Sequence, residues 1–371
     1  MHILAKDLGF ICVMRMQKKN IDIIGIVGVP ACYGGFESLV QNLVDHQSEK
    51  INYTIYCSGK SYKSKSKNYK DAQLKYVPLK ANGSSSIPYD IFSLMRSMFC
   101  KPDVVLVLGV SGCIFLPLFK FFSSAKIITN IDGLEWRRDK WGKFAKWFLK
   151  YSEKIAVHYS DTIIADNEAI SNYVLKEYGV KSSVIAYGGD HAIGNKVVAQ
   201  DKDNYYFTVC RIEPENNIEM ILEAFSQTNS CFKMVGNWNS SAYGRELRNR
   251  YSPFKNIELL DPIYDINILF EYRSKCRGYI HGHSAGGTNP SLVEAMHFNT
   301  AIFAFDCDFN RYSTENSAFY FKNSKELVNL LEQRSQMLHT AEDEICANKL
   351  KHIADQRYTW INVTKQYEDL Y

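Results

Sequence analysis

The sequence predicts an α/β protein built from two parallel-sheet domains that face each other across a cleft. Three observations predict it. Apolar β-branched runs alternate with amphipathic runs along the chain, which is the rhythm of βαβ units. The length of 371 residues suits about two domains. Polar and glycine-containing loops directly follow several strand-like runs, where open α/β sheets bind their ligands.

The elements follow in order. Residues 1–18 read as an N-terminal extension. Their apolar run Leu8–Met14 precedes Arg15, Lys18 and Lys19, the reverse of a secretion signal, and Met16 is a second candidate start. A first domain over 19–195 opens with the strand Ile21–Val27, the glycine loop 28–35 and a helix Phe36–His46 carrying Leu39, Val40, Leu43 and Val44 on one face. Further strands are expected at Tyr53–Cys57, Val104–Leu108, Lys126–Ile131 and Thr162–Ala165, with solvated loops at Lys60–Lys70 and Asn82–Ser86. The polar run Gln200–Asn204 leads into a second domain over 196–354. Its strands are Tyr205–Cys210, Phe232–Val235, Ile257–Leu260, Gly278–His281 and Ala301–Phe305, and Ile218–Phe225 is helical. Residues 355–371 form a terminal helix with Trp360 and Val363 on its apolar face.

Composition narrows the function. Hydrophobic residues make up 46% and charged residues 23%, enough to bury a core. A net charge of +4 over this length excludes a dedicated nucleic-acid binder. The 10 cysteines are scattered with no C-x-x-C pair, so a zinc ribbon is excluded and reduced thiols in the cytoplasm are expected. The apolar stretch Val104–Phe122 is interrupted by Gly109, Ser111, Gly112 and Pro117. It reads as strand, turn and helix rather than a membrane span.

Four loops carry candidate chemistry. In Gly28–Glu37 (GVPACYGGFE), Gly34 and Gly35 let the backbone approach an anion, or else serve a tight turn; Tyr33 and Glu37 flank them as acceptor-side candidates. In His281–Met296, Gly286, Gly287 and Thr288 lead to Asn289, a cap residue before Pro290. Glu294 follows about one turn in, placed to accept from ribose hydroxyls while nearby amides meet phosphates. In Arg211–Asn217 (RIEPENN), Arg211 offers a diphosphate its fork of donors, unless it pairs with Glu213 or Glu215. In Asn130–Arg138 (NIDGLEWRR), Asp132 and Glu135 can hold sugar hydroxyls or take a proton, and Trp136 can stack on a sugar; Asp132-Gly133 can equally be only a turn. The basic, aromatic run Trp136–Tyr159 reads either as a cationic amphipathic helix on anionic lipid or as a core-packed helix with a solvated lysine face. No metal site is expected. Asp306–Asp308 (DCD) and the His281/His283 pair are weak signals, and the absent dinucleotide fingerprint disfavours a dehydrogenase.

Taken together, YGGFE (33–37), NIDGLEW (130–136), ADN (165–167), RIEPENN (211–217) and HGH-x-x-GGTNPSL-x-EAM (281–296) resemble glycosyltransferase family 4. Within it they resemble the bacterial rhamnosyltransferases of capsule and O-antigen assembly. The resemblance implies a GT-B fold of two Rossmann-like domains and metal-independent transfer without a cofactor. It implies a dTDP-rhamnose donor and a lipid-diphosphate-linked saccharide acceptor at the inner face of the cytoplasmic membrane. It assigns the donor phosphates to Arg211, the ribose to Glu294 and the donor-side glycine loop to Gly34 and Gly35. It also implies that the terminal helix crosses back onto the first domain. Asp132 is the candidate for positioning or deprotonating the acceptor. The chain departs from the wider family at Gly286, where a glutamate is usual, and at Asn216, where a lysine is usual; Ser284 replaces an acidic residue common in the subgroup. A hexosyl donor, a nucleotide-sugar 2-epimerase and a non-catalytic nucleotide-sugar binder are the alternatives on the same fold.

Overall fold

In the computed structural model the described residues are 18–31, 34–131, 133–137, 142–335 and 340–371. The first sheet is made of β1 (Lys19–Ile24), β2 (Ile51–Ser58), β3 (Asn68–Tyr69), β4 (Ala72–Val77), β5 (Val104–Leu108), β6 (Lys126–Asn130), β7 (Thr162–Ala165) and β8 (Ser183–Val184). Their spatial order is β3-β4-β2-β1-β5-β6-β7-β8, and every pairing is parallel except β3 with β4. The second sheet holds β9 (Asp203–Val209), β10 (Cys231–Val235), β11 (Ile257–Leu260), β12 (Cys276–His281), β13 (Ala301–Phe305) and β14 (Phe319–Phe321). It runs β11-β10-β9-β12-β13-β14 and is parallel throughout.

The sequence accounts for the central strands. β5 reads VVLVL with every residue buried, and β12 reads CRGYIH, also buried throughout, as strands covered on both faces require. Each order reverses beside its first strand, β1 or β9. The crevices at these switch points open at the strands' carboxyl ends, where the candidate loops lie. The apolar run 104–122 resolves into β5, a turn and the helix Leu116–Phe122. No helix among the described residues is long and apolar enough to cross a membrane.

β3 lies inside the stretch 60–70 that the sequence suggested as loop, and β4 follows it where no element was expected. β4 (AQLKYV) mixes polar with apolar residues because it lies near the edge, and β3 covers it as a two-residue antiparallel flap. β1 ends at Ile24 rather than Val27.

The chain passes between the sheets twice. Residues 185–202 link β8 to β9. The helix Trp360–Leu370 then docks on the first sheet's side: Tyr367 Oη receives a bond from Asn130 Nδ2 at 2.8 Å, Tyr53 Oη donates to Tyr371 Oη at 3.2 Å, and Ser48 N donates to Glu368 Oε1 at 2.7 Å. Its buried face is Trp360, Val363, Thr364 and Tyr367, so apolar burial holds it as well as polar contacts.

Candidate active site

Glu294 sits in the helix Pro290–Met296 that follows β12. Asn289 caps this helix, its Oδ1 accepting from Ser291 N at 3.0 Å, and Pro290 takes the first turn. Ser291's amide is therefore committed to the cap and Pro290 has none, which leaves Thr288 and Asn289 as the amides of that stretch for a phosphate. The Glu294 carboxylate lies between two cations or donors: Arg273 donates to Oε2, and His191 Nε2 is 3.3 Å from Oε1. Burial raises its pKa, but the Arg273 guanidinium and His191 outweigh burial and hold it below the ordinary glutamate value.

Arg211 follows β9 and is 61% exposed, with Glu213 Oε1 at 3.6 Å. An exposed pair at that distance competes weakly with a bound diphosphate. The turn carrying Arg211 is tied to the loop after β12. Ser284 N and Oγ both donate to the Glu215 carbonyl, at 3.0 and 2.9 Å, and Asn217 Nδ2 donates to the Gly282 carbonyl at 2.8 Å. Asn216, expected to face the donor, is buried instead. Its Nδ2 donates to the Arg211 carbonyl at 2.7 Å and its Oδ1 meets His283 Nδ1 at 2.7 Å, so its amide fastens the two loops together.

The glycine pair 286–287 is where the two domains meet. Gly286 has φ +92°, a region that glycine occupies without strain, and a Cβ on Gly133 would lie 2.7 Å from its Cα. A glutamate at 286 would be strained by that φ, although its Cβ would have room, 3.6 Å from His283 Nε2. The same Gly286 Cα is what requires a glycine at 133. A Cβ on Gly287 would fall 1.8 Å from Asp166 Oδ1. Thr288 is turned the same way: its hydroxyl donates to the Asp166 carbonyl at 2.5 Å and receives Asn167 Nδ2 at 3.2 Å. Asn167 also caps the helix Glu168–Tyr178 and reaches the Phe309 carbonyl and Ser313 Oγ. The ADN segment thus joins the halves.

The first domain's candidates divide. Gly34 and Gly35 lie at the start of the helix Gly35–Asp45, and a Cβ on Gly35 would make only ordinary contact with Tyr187 at 3.5 Å. Glu37, expected to meet the acceptor, turns inward. It is buried, with Oε1 accepting from Val27 N at 2.7 Å and Oε2 from Gly34 N at 2.8 Å, so it holds the loop in shape. Burial raises its pKa, only partly offset by the amides of Val27 and of Glu37 itself. Trp136, expected to stack on a sugar, is half-buried against the first domain's core and flanked by cations. The Arg137 guanidinium lies 5.1 Å from the ring centre and Lys150 Nζ 4.9 Å, within cation–π range. Tyr33, Asp132 and the Glu135 side chain lie outside the described residues.

The weak metal signals lie in different surroundings. Asp306 is bound by Arg311 and faces Lys322 at 3.6 Å. His281 is fully buried, and burial with the neighbouring His283 pushes its pKa down to about 3, so it is neutral. Arg273 and His191 were not legible as site residues. Arg273 lies in the last turn of the helix Ile266–Lys275 and His191 in the 185–202 crossing; neither belongs to a motif, and only folding brings them to Glu294.

Comparison with known proteins identifies the architecture. The chain has the GT-B glycosyltransferase fold. It matches the structure of sucrose-phosphate synthase from Thermosynechococcus elongatus with a TM-score of 0.74 and 14% identity, over 95% of this chain and 98% of that one. It matches HepE of Anabaena in complex with UDP with a TM-score of 0.70 and 14% identity, over 96% and 99%. It matches the catalytic domain of starch synthase IV from Arabidopsis thaliana, bound to ADP and acarbose, with a TM-score of 0.70 and 12% identity, over 95% and 98%. By sequence, residues 18–190 match the model of a domain of unknown function, DUF1972. A search of curated proteins finds no match.

Proposed function

We propose that the protein is a glycosyltransferase that moves L-rhamnose from dTDP-rhamnose onto a lipid-diphosphate-linked saccharide during O-antigen or capsule assembly. The observation that carries the transferase reading is the near-complete overlay on GT-B enzymes together with the pairing of loops across the cleft, Gly133 against Gly286 and Asp166 against Gly287. The five motifs resembling rhamnosyltransferases favour the donor.

In this reading the acceptor hydroxyl attacks the anomeric carbon as the bond from that carbon to the diphosphate breaks. The diphosphate leaves with the electron pair. Arg211 and the amides of Thr288 and Asn289 stabilise its growing charge, and Gly34 and Gly35 let the first domain's backbone approach it. Glu294 accepts from the ribose. Asp132 positions the acceptor hydroxyl, or takes its proton if configuration inverts. No metal is assigned a part.

The acceptor's lipid suggests peripheral membrane contact. The helix Lys143–Tyr159 buries Leu149, Ser152, Glu153, Ala156 and Val157 and leaves Phe144, Trp147 and Tyr151 exposed on another face among lysines. That is the amphipathic form that rests on anionic lipid.

A second reading, a hexosyltransferase, is favoured by HepE, whose structures hold UDP and UDP-glucose. Purified protein incubated with a synthetic lipid-diphosphate N-acetylglucosamine and each nucleotide sugar tests both. A deoxyhexose mass gain with dTDP-rhamnose alone supports the first. A hexose gain replaces it with the second. A changed free donor without transfer means an epimerase, and sinks both.

A further inference from the structure

The two chain crossings between the domains meet directly above Glu294. In the first crossing, a Cβ on Gly188 would lie 2.6 Å from the Trp360 indole, and one on Gly189 would lie 2.7 Å from the backbone at Val293 and Glu294. Gly189 N donates to the Tyr358 carbonyl at 2.7 Å, and Trp360 N donates to Asp190 Oδ1 at 2.9 Å. Trp360 Nε1 lies 2.9 Å from His191 Nδ1, and His191 Nε2 lies 3.3 Å from Glu294 Oε1.

Chemistry fixes the proton on this chain of contacts. An indole N–H can only donate. His191 Nδ1 must therefore present its lone pair to Trp360, which puts the ring's proton on Nε2, facing Glu294. The terminal helix thus selects the histidine tautomer that donates to the carboxylate. Arg273 holds the other carboxylate oxygen. Both oxygens are anchored, one by the second domain and one through the crossing, so the plane of the carboxylate is set by the closeness of the two crossings.

We infer that His191 is a positioning residue for Glu294, locked in its Nε2–H tautomer by Trp360, and that this latch couples donor binding to the docking of the terminal helix. The inference rests on the reading of Glu294 as the donor-site carboxylate, but its tautomer component stands independently of it.

Two measurements on the full chain test it. The first is a long-range proton–nitrogen spectrum of protein with isotope-labelled histidine, the His191 signal being assigned by its loss in His191→Gln. The Nε2–H form is expected in the wild type, and loss of that preference in Trp360→Phe, which keeps a ring against Gly188 but has no N–H. An Nδ1–H wild type, or a Trp360→Phe spectrum unchanged at His191, overturns the latch. The second is calorimetric binding of dTDP. Trp360→Phe should weaken it about fivefold and His191→Leu about tenfold, the scale of one hydrogen bond to a charged group, while His191→Gln, which keeps an N–H towards Glu294, recovers most of the loss. Unchanged affinity in all three beside a large loss in Glu294→Ala overturns the coupling and leaves the donor site standing. Unchanged affinity in Glu294→Ala overturns the donor reading and the coupling, and the spectrum alone then decides the tautomer lock.

Discussion

Each domain places a glutamate in or near the first turn of a helix behind a glycine pair: Glu37 behind Gly34-Gly35, and Glu294 behind Gly286-Gly287. The two carboxylates have opposite surroundings. Glu37 is buried and answered by backbone amides, those of Val27 and Gly34 among them, and its pKa is raised. Glu294 is answered by Arg273 and His191, and its pKa is lowered. The same local pattern therefore yields a loop brace in one domain and a charged group kept at the cleft in the other. The partners decide, and they come from elsewhere in the fold.

The sharpest way to break this comparison is Arg273→Ala. Removing a buried guanidinium from a paired carboxylate should cost about 3 kcal/mol of stability, read by urea unfolding. A loss under about 1 kcal/mol would mean that Glu294 does not depend on its cation. Glu37→Ala should follow at about 2 kcal/mol, because two inward-facing amides lose their acceptor. Its nucleotide affinity should hold once the folded fraction is allowed for; a selective fall in affinity would return Glu37 to the binding surface.

The pH profiles should differ in sign. Glu37's pKa is raised on folding, so the folded state keeps its proton longer, and its contribution to stability declines as pH climbs from the ordinary glutamate value to the raised one. Glu294's is lowered, so its contribution is present above the ordinary value and is lost as pH falls towards the folded one. Each slope is at most about 1.4 kcal/mol per pH unit. Stability curves of Glu37→Gln and Glu294→Gln against wild type should therefore diverge in opposite directions, and parallel curves would contradict the contrast. The smallest effect on stability belongs to Arg211→Ala. Loss of its exposed pair with Glu213 should change unfolding by less than about 0.5 kcal/mol. Binding of dTDP should nonetheless weaken by about tenfold or more, the worth of a charge-assisted contact to phosphate.

Much of the architecture was legible because buried parallel strands advertise themselves. Val104–Leu108, Thr162–Ala165, Ile257–Leu260 and Ala301–Phe305 are apolar runs of strand length, and each is a strand with those bounds. β4 and β14 were not legible: β4 lies beside a sheet edge, where a strand need not be continuously apolar, and β14 (FYF) is only three residues long, too short to show a period. Among site residues, Asn289 and Pro290 were readable because capping is local in sequence. The cations beside Trp136, Arg137 and Lys150, were not legible as its neighbours, because a tryptophan beside a strand end has the same spacing whatever its ring faces.

The sequence by itself determined the βα rhythm, the position of the loops at strand ends and the caps that begin their helices. Those depend on residues within a few places of one another. Only the tertiary structure decided which polar groups each loop spends on holding itself together. Asn216 closes on His283 across 67 residues, Trp360 reaches His191 across 169, and Gly133 meets Gly286 at a distance that admits no side chain. A hydrogen bond is short and directional, so its partner is set by where the chain returns in space, and that return is a property of the packed sheets rather than of any segment.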